Sequence, residues 1–209
     1  VSMLVRGRTV KVFSTTAVST ITWSQNPAWC VADYMTNSIY GMGAYMSESD
    51  LDIQSFLDFA ILCNSQVPNG RGGLEDQHHL DMVMDVKRPH LEWVNAILGL
   101  YRSGMIYSQQ KYKIISDRQD LPIRQVFHSG NIDPADIEIK IGGDPSRPNQ
   151  AVVNFANEEL AYERDVIFVQ DSASVFGNQD PIKDYELNYF GTVRRSEVIR
   201  NAGFDLNRK

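Results

Sequence analysis

Apolar and polar positions along the chain change period several times, and each change marks an element. The stretch from Asn26 to Gly43 is the most informative. Ala28, Trp29, Ala32 and Met35 recur at steps of three and four, which is one apolar face of a short helix. Asn26 suits the cap position and Pro27 the first helical position, where no N–H is needed. Asn37 and Ser38 break the pattern, and Gly41-Met42-Gly43 lets the chain turn sharply. A second helix is expected from about Asp50 to Asn64, with Ile53, Phe56, Leu57, Ala60, Ile61 and Cys63 as its stripe. Ser47, Ser49 and Asp50 offer caps, and Glu48, Asp50 and Asp52 suit the positive end of the helix dipole. Asn64 to Gly73, with Pro68 and three glycines, reads as a loop. Leu80, Met82, Met84 and Val86 then alternate with His79, Asp81 and Asp85, the period of a strand. A third helix is expected from Pro89 to Arg102, burying Leu91, Val94, Ile97, Leu98 and Tyr101 and stopping at Ser103-Gly104. Met105 to Ser108 and Tyr112 to Ser116 form a hairpin around Gln109-Gln110-Lys111.

The flanks are more β-like. Leu4-Val5 and Thr9 to Phe13 are separated by a hairpin-like break at Arg6-Gly7-Arg8, and Ser14 to Thr22 is an edge strand or connector. After Arg118 the expected strands are Arg124 to Phe127, Asp136 to Ile141, Ala151 to Phe155 and Val166 to Gln170. Ile137, Ile139 and Ile141 alternate with Glu138 and Lys140, as in a sheet with one wet face. Gly142 to Asn149 and Glu158 to Asp165 read as loops, and Phe176 to Phe190 has no clean period. A last helix, Ser196 to Ala202, is expected to end at Gly203. The fold class is α+β: a small helix-rich α+β subdomain followed by a β-rich one. Residues 1–22 are leading strands or the remnant of a preceding β domain, 23–120 the α+β subdomain, and 121–209 the β-rich subdomain.

Composition narrows the functional classes. An apolar share of 43% and a charged share of 22% over 209 residues allow a properly buried core. The net charge of −6 argues against gripping nucleic acid through its phosphates, but is compatible with a channel whose acidic wall repels them. No run of about 18 apolar residues is present, so no membrane span is expected. The opening Val1-Ser-Met-Leu-Val-Arg6 is not expected to be a signal peptide, and a chain starting at valine is expected to be a fragment of something longer. Cys30 and Cys63, both on expected helices, read as reduced, buried thiols in a reducing cytoplasm.

Candidate chemistry is sparse. His78-His79 with Glu75, Asp76 and Asp81 is the one cluster resembling metal ligation, but adjacent strand residues point to opposite faces, so the imidazoles are not expected to share an ion. His90 and His128 read as surface or capping residues. There is no Gly-x-Ser-x-Gly elbow and no cysteine with a local histidine signature. Arg71-Gly-Gly-Leu74 and Ile141-Gly-Gly-Asp144 lack the features of a phosphate loop. No catalytic, cofactor-binding or metal-binding residue is assigned, and no cofactor is implied. Trp29 and Trp93 are expected in the core.

The motifs themselves occur in a recognisable order. Asn26-Pro-Ala-Trp29, Asp33, Thr36-Asn37 and Tyr40-Gly-Met-Gly43 resemble the opening signature of phage tail-tip attachment proteins (host-specificity, J-type). Leu62-Cys63-Asn64 with Val67-Pro-Asn-Gly70, the helix from Trp93 to Gly104, and Lys111 with Asp117-Arg118 resemble later family motifs. So do Phe127 to Ile132, then Arg147-Pro-Asn149 with Val152, Val153 and Asn157, and, loosely, Phe190 to Arg200. The resemblance runs from about residue 20 to residue 200. It departs where the family's proline after Asp-Arg is delayed to Pro122, and where Gly191-Thr192-Val193-Arg194 replaces Gly-Cys-Thr-Ser.

The resemblance implies a baseplate-hub-like fold with a barrel-like second part. It also implies a structural, non-enzymatic role in the tail tip of a phage or prophage. Such proteins are similar to hub proteins that assemble as homotrimers, in a ring at the distal end of the tail tube through which the tape-measure protein and DNA leave. Expected partners are further copies of the chain, the distal tail ring, the tape-measure protein and, through regions outside this chain, a bacterial surface receptor. Specific nucleic-acid binding is not expected. The expected location is the virion, after synthesis in the host cytoplasm. The alternatives are a glycoside hydrolase acting on the cell envelope, suggested only by scattered carboxylates, and a carbohydrate-binding module, suggested by tryptophan and tyrosine.

Overall fold

A computed structural model describes residues 5–118 and 147–208, together with Ile123, Val126, His128, Gly130 and Asn131. The expected strands Arg124 to Phe127 and Asp136 to Ile141 lie outside the described residues, apart from Val126. The chain opens on a hairpin of β1 (Thr9–Phe13) and β2 (Ser19–Trp23), paired from Thr9 opposite Trp23 to Phe13 opposite Ser19. Its turn therefore lies at Ser14 to Val18, where Ser14 N–H donates to the Val18 carbonyl at 2.9 Å, and not at Arg6-Gly7-Arg8 as expected. Ser14 and Thr15 satisfy the turn through their own hydroxyls, which a search for glycine overlooks.

Helix α1 (Pro27–Thr36) forms as its pattern requires. The Asn26 side-chain oxygen accepts from Ala28 N–H at 3.0 Å. The amide of Asn26 also donates to the Ala60 carbonyl and to Asn64 at 3.0 and 2.8 Å, so one residue caps α1 and fastens it to the end of the next helix. At the corner beyond α1, Met42 N–H donates to the Tyr34 carbonyl at 3.0 Å. A Cβ on Gly41 would stand 1.8 Å from that same oxygen, and one on Gly43 would stand 2.3 Å from the Thr36 carbonyl oxygen. Only glycine lets the backbone return so closely.

Helix α2 (Ile53–Cys63) follows a 3-10 turn, Glu48–Asp50, whose Asp50 carboxylate accepts from Ser47 N–H at 2.8 Å. Phe56, Phe59, Ala60 and Cys63 are buried, whereas Ile61, expected on the stripe, is 68% exposed. The loop expected from Asn64 to Gly73 contains β3 (Gln66–Pro68), paired with β4 (Leu74–Asp76) across a turn tied by the Asn69 side chain. Helix α3 (His90–Leu100) buries Trp93, Val94, Ile97 and Leu98 but leaves Leu91 exposed. It leads into the hairpin β5 (Ser103–Ser108) and β6 (Lys111–Ser116), with Gln109 and Gln110 both left-handed, at φ 55° and 61°. Tyr101 ends α3 fully buried. One hydrophobic cluster joins these elements, from Val10 and Phe13 through Trp29, Phe56 and Phe59 to Trp93 and Ile114.

The second cluster is built on a three-stranded sheet. Strand β7 (Gln150–Asn157) lies between antiparallel β8 (Glu163–Gln170) and parallel β9 (Asp184–Asn188). Helix α4 (Arg195–Arg208) covers one face, packing Val198, Ala202 and Leu206 against Ala151, Val153, Phe155 and Ile167. The helix runs through Gly203, where an end was expected. Glycine costs a helix interior about 1 kcal/mol, and burying Leu206 one turn later outweighs that. Glu158 to Asp165 is a 3-10 turn and the start of β8 rather than loop throughout, and β9 lies within the stretch without a clean period. The architecture is α+β, and among the described residues no sheet closes into a barrel. Leu100 packs against both clusters.

Candidate functional site

The two clusters meet at a polar seam. It is built by the segment after β4, the end of α3 and the inner face of α4. The segment is threaded between neighbours. Gln77 N–H donates to the Ser65 carbonyl (2.9 Å), His78 to Cys63 (3.0 Å), Leu80 to Gln25 (2.8 Å) and Asp81 to Gly191 (3.0 Å). Leu80 and Asp81 are thus tied to two different neighbours, and among the described residues no strand pairs with Met82 to Val86, so the expected strand does not form. His78 and His79 therefore escape strand geometry, and both lie against Glu197 of α4, contrary to the expectation that they diverge.

Glu197 is 1% exposed. Its Oε1 lies 3.3 Å from His78 Nδ1 and accepts from His79 N–H at 3.2 Å. Its Oε2 lies 3.7 Å from His79 Nδ1, close enough for attraction between charges but too far for a hydrogen bond. His79 Nε2 faces Asp76 at 3.8 Å. The His78 ring packs on Tyr101 with centroids 5.0 Å apart, and the Tyr101 hydroxyl donates to the His79 carbonyl at 2.6 Å. Arg200, one turn along α4, reaches Glu75 at 2.5 Å and the Gln77 carbonyl at 3.2 Å. The Arg102 guanidinium lies 3.8 Å from the Phe204 ring centroid. The remaining acid weighed with the histidines, Asp81, accepts from the Gln25 amide at 2.6 Å.

Burial pushes the His78 imidazole below its ordinary range, against the pull of Glu197. Burial would raise the Glu197 carboxyl, but hydrogen bonding and charge from His78 and His79 outweigh it and hold the group below its usual value. Burial, reinforced by Glu197, pushes the Tyr101 hydroxyl well above its range. Cys30 is pushed up to about 12 by burial, then by Asp33 and Asp81, and burial raises Cys63 as well. Both thiols are therefore protonated at neutral pH and poor nucleophiles.

The seam's carboxylate and imidazoles are acid–base groups, but they are closed off. A groove of about 390 Å³ lies elsewhere and is lined by Tyr34, Tyr40, Met84, Val86, Lys87, Arg88 and Trp93. Among the described residues no three of His, Cys, Asp and Glu are placed to hold a metal ion. The seam braces α4 against the helical part. His90 Nδ1 is 2.7 Å from the Tyr34 hydroxyl, and His128 accepts from Gly130 N–H at 3.0 Å. Trp29 and Trp93 are buried, as expected, and Trp23 is partly exposed. Arg71 sits in the β3–β4 turn and pairs with Glu159, while Ile141-Gly-Gly-Asp144 lies outside the described residues. Sequence reasoning missed Glu197 and Tyr101 as partners of the histidines, because 119 residues separate His78 from Glu197.

No family model matches the chain. Among curated proteins it is similar to the Tip attachment protein J of Escherichia phage SECphi27. The two are 27% identical over 186 residues, which is 88% of this chain and 15% of that protein. The chain is a relative of phage tip attachment protein J. A second protein of that name, from Escherichia phage SECphi4, is 20% identical over 184 residues, 88% of this chain and 16% of its own length. The similarity to these J-type proteins is too long to be confined to either hydrophobic cluster. The chain spans less than a fifth of the length of the curated relatives it matches.

Proposed function

We propose that the chain is a structural, non-enzymatic part of a phage or prophage tail tip. In this reading it forms part of the ring at the distal end of the tail tube, supports host attachment, and lets DNA leave. The observation that carries the reading is the similarity to tip attachment proteins over 88% of the chain. Exposed apolar side chains agree with it. Tyr45 is 88%, Val83 83% and Ile39 81% exposed, as suits a component that buries surface on assembly. The titratable groups of the seam are spent on contacts between α4 and the His78–His79 segment.

Within that assembly the chain is a baseplate-hub-like segment, divided near residue 120 into the α+β part and the sheet-and-α4 part. It assembles as a homotrimer beside the distal tail ring and the tape-measure protein, and any receptor contact comes from regions of the longer protein outside this chain. Sedimentation of the full-length protein tests the assembly. A concentration-dependent or stable trimer is expected, and a tight monomer at every concentration would overturn it. Turnover of purified peptidoglycan above background by the same preparation would overturn the non-enzymatic role.

A further inference from the structure

We propose that the segment Asp81 to Arg88 is a docking strand for an extended, acidic segment of a partner protein. Its sequence alternates as a strand should, yet it lies outside any helix or strand. Among the described residues, no backbone hydrogen bond reaches Met82 to Arg88, as donor or acceptor. Unpaired backbone beside an apolar surface is the template on which a partner's strand pairs. Main-chain bonds then supply affinity, and pockets for alternate side chains supply specificity.

Such a pocket is present. Met84 and Val86 line the groove of about 390 Å³ while Asp85, between them, does not. Tyr34, Tyr40 and Trp93 form its aromatic wall. Ile39, Val83 and Leu91, each next in sequence to or near a lining residue, are exposed as well. The groove's charged members are basic. Lys87 and Arg88 line it, the Arg88 guanidinium lies 4.8 Å from the Trp93 ring centroid, and Arg8 lies 4.9 Å from that of Tyr40. Among the described residues none of these three cations is in an ion pair, in a chain whose net charge is −6. Asp33 is engaged by the Tyr40 hydroxyl, and Glu92 lies in the first turn of α3. Unpaired cations over an aromatic, apolar groove select a peptide that alternates apolar with acidic residues.

The test uses the 209-residue chain and two octapeptides, one alternating valine with glutamate and one alternating valine with lysine. Amide hydrogen exchange is read at residues 82–88. The acidic peptide is expected to slow exchange there about tenfold and the basic one to leave it unchanged. Lys87→Glu with Arg88→Glu is expected to weaken acidic-peptide binding about tenfold and to admit the basic peptide. No protection by the acidic peptide, equal protection by both, or protection by raised protein concentration alone would overturn the proposal. The last result would assign the surface to a second copy. The comparison of peptides on the unsubstituted chain decides the matter even if the double variant fails to fold.

Discussion

Glu197 shows how much depends on single residues here. A carboxylate with 1% exposure is tolerated because two histidines and a backbone N–H face it. Replacing it with alanine leaves two imidazoles and the His79 N–H facing a void. Urea denaturation of Glu197→Ala is expected to show a loss of about 1–3 kcal/mol, the cost of leaving buried donors without their acceptor. A loss below the usual surface range would mean that the seam contributes little. Gly41 tests the corner after α1 in the same way. Alanine there meets the Tyr34 carbonyl oxygen at 1.8 Å, so Gly41→Ala is expected to cost about 1–3 kcal/mol, as overpacking does. Gly70→Ala probes a different effect. Its Cβ would meet nothing, but φ is +76°, so the smaller cost expected is that of backbone strain alone.

At the scale of elements, legibility followed the locality of the physics. Helix α1 was readable because Asn26, Pro27 and the apolar steps of three and four act within ten residues. The β5–β6 hairpin and α3 were readable for the same reason. The segment after β4 was misread because its alternation is real while its hydrogen bonds go to Gln25, Cys63, Ser65 and Gly191. Helix α4 was read short because Gly203 is a local stop signal, and its continuation depends on contact with a sheet from elsewhere in the chain. The seam was illegible for that reason too. Its titratable groups give the junction a pH dependence of definite sign. His78 is pushed down in the folded state, so the unfolded chain binds the proton more readily, and stability is lost as pH falls below the ordinary imidazole range near 6.5. Glu197, also held down, contributes stability above its ordinary value near 4.5 that is lost as pH falls through its folded value. Both contributions have the same sign. The urea midpoint is expected to fall steadily from pH 7 to pH 4, and His78→Gln is expected to flatten the part between pH 7 and pH 5. A midpoint that rises on acidification would contradict this account of the seam.

At the scale of the molecule, two small hydrophobic clusters share Leu100 and a polar seam, and exposed apolar side chains remain around the groove beside α1 and α3. That surface and the similarity to tip attachment proteins both support the proposed assembly. The most direct measurement is immunogold electron microscopy of purified virions or induced prophage particles, with antibody raised against this chain. Label confined to the distal end of the tail is the predicted result. Intact tails that carry no label, with the protein found only in the soluble lysate, would contradict the assignment.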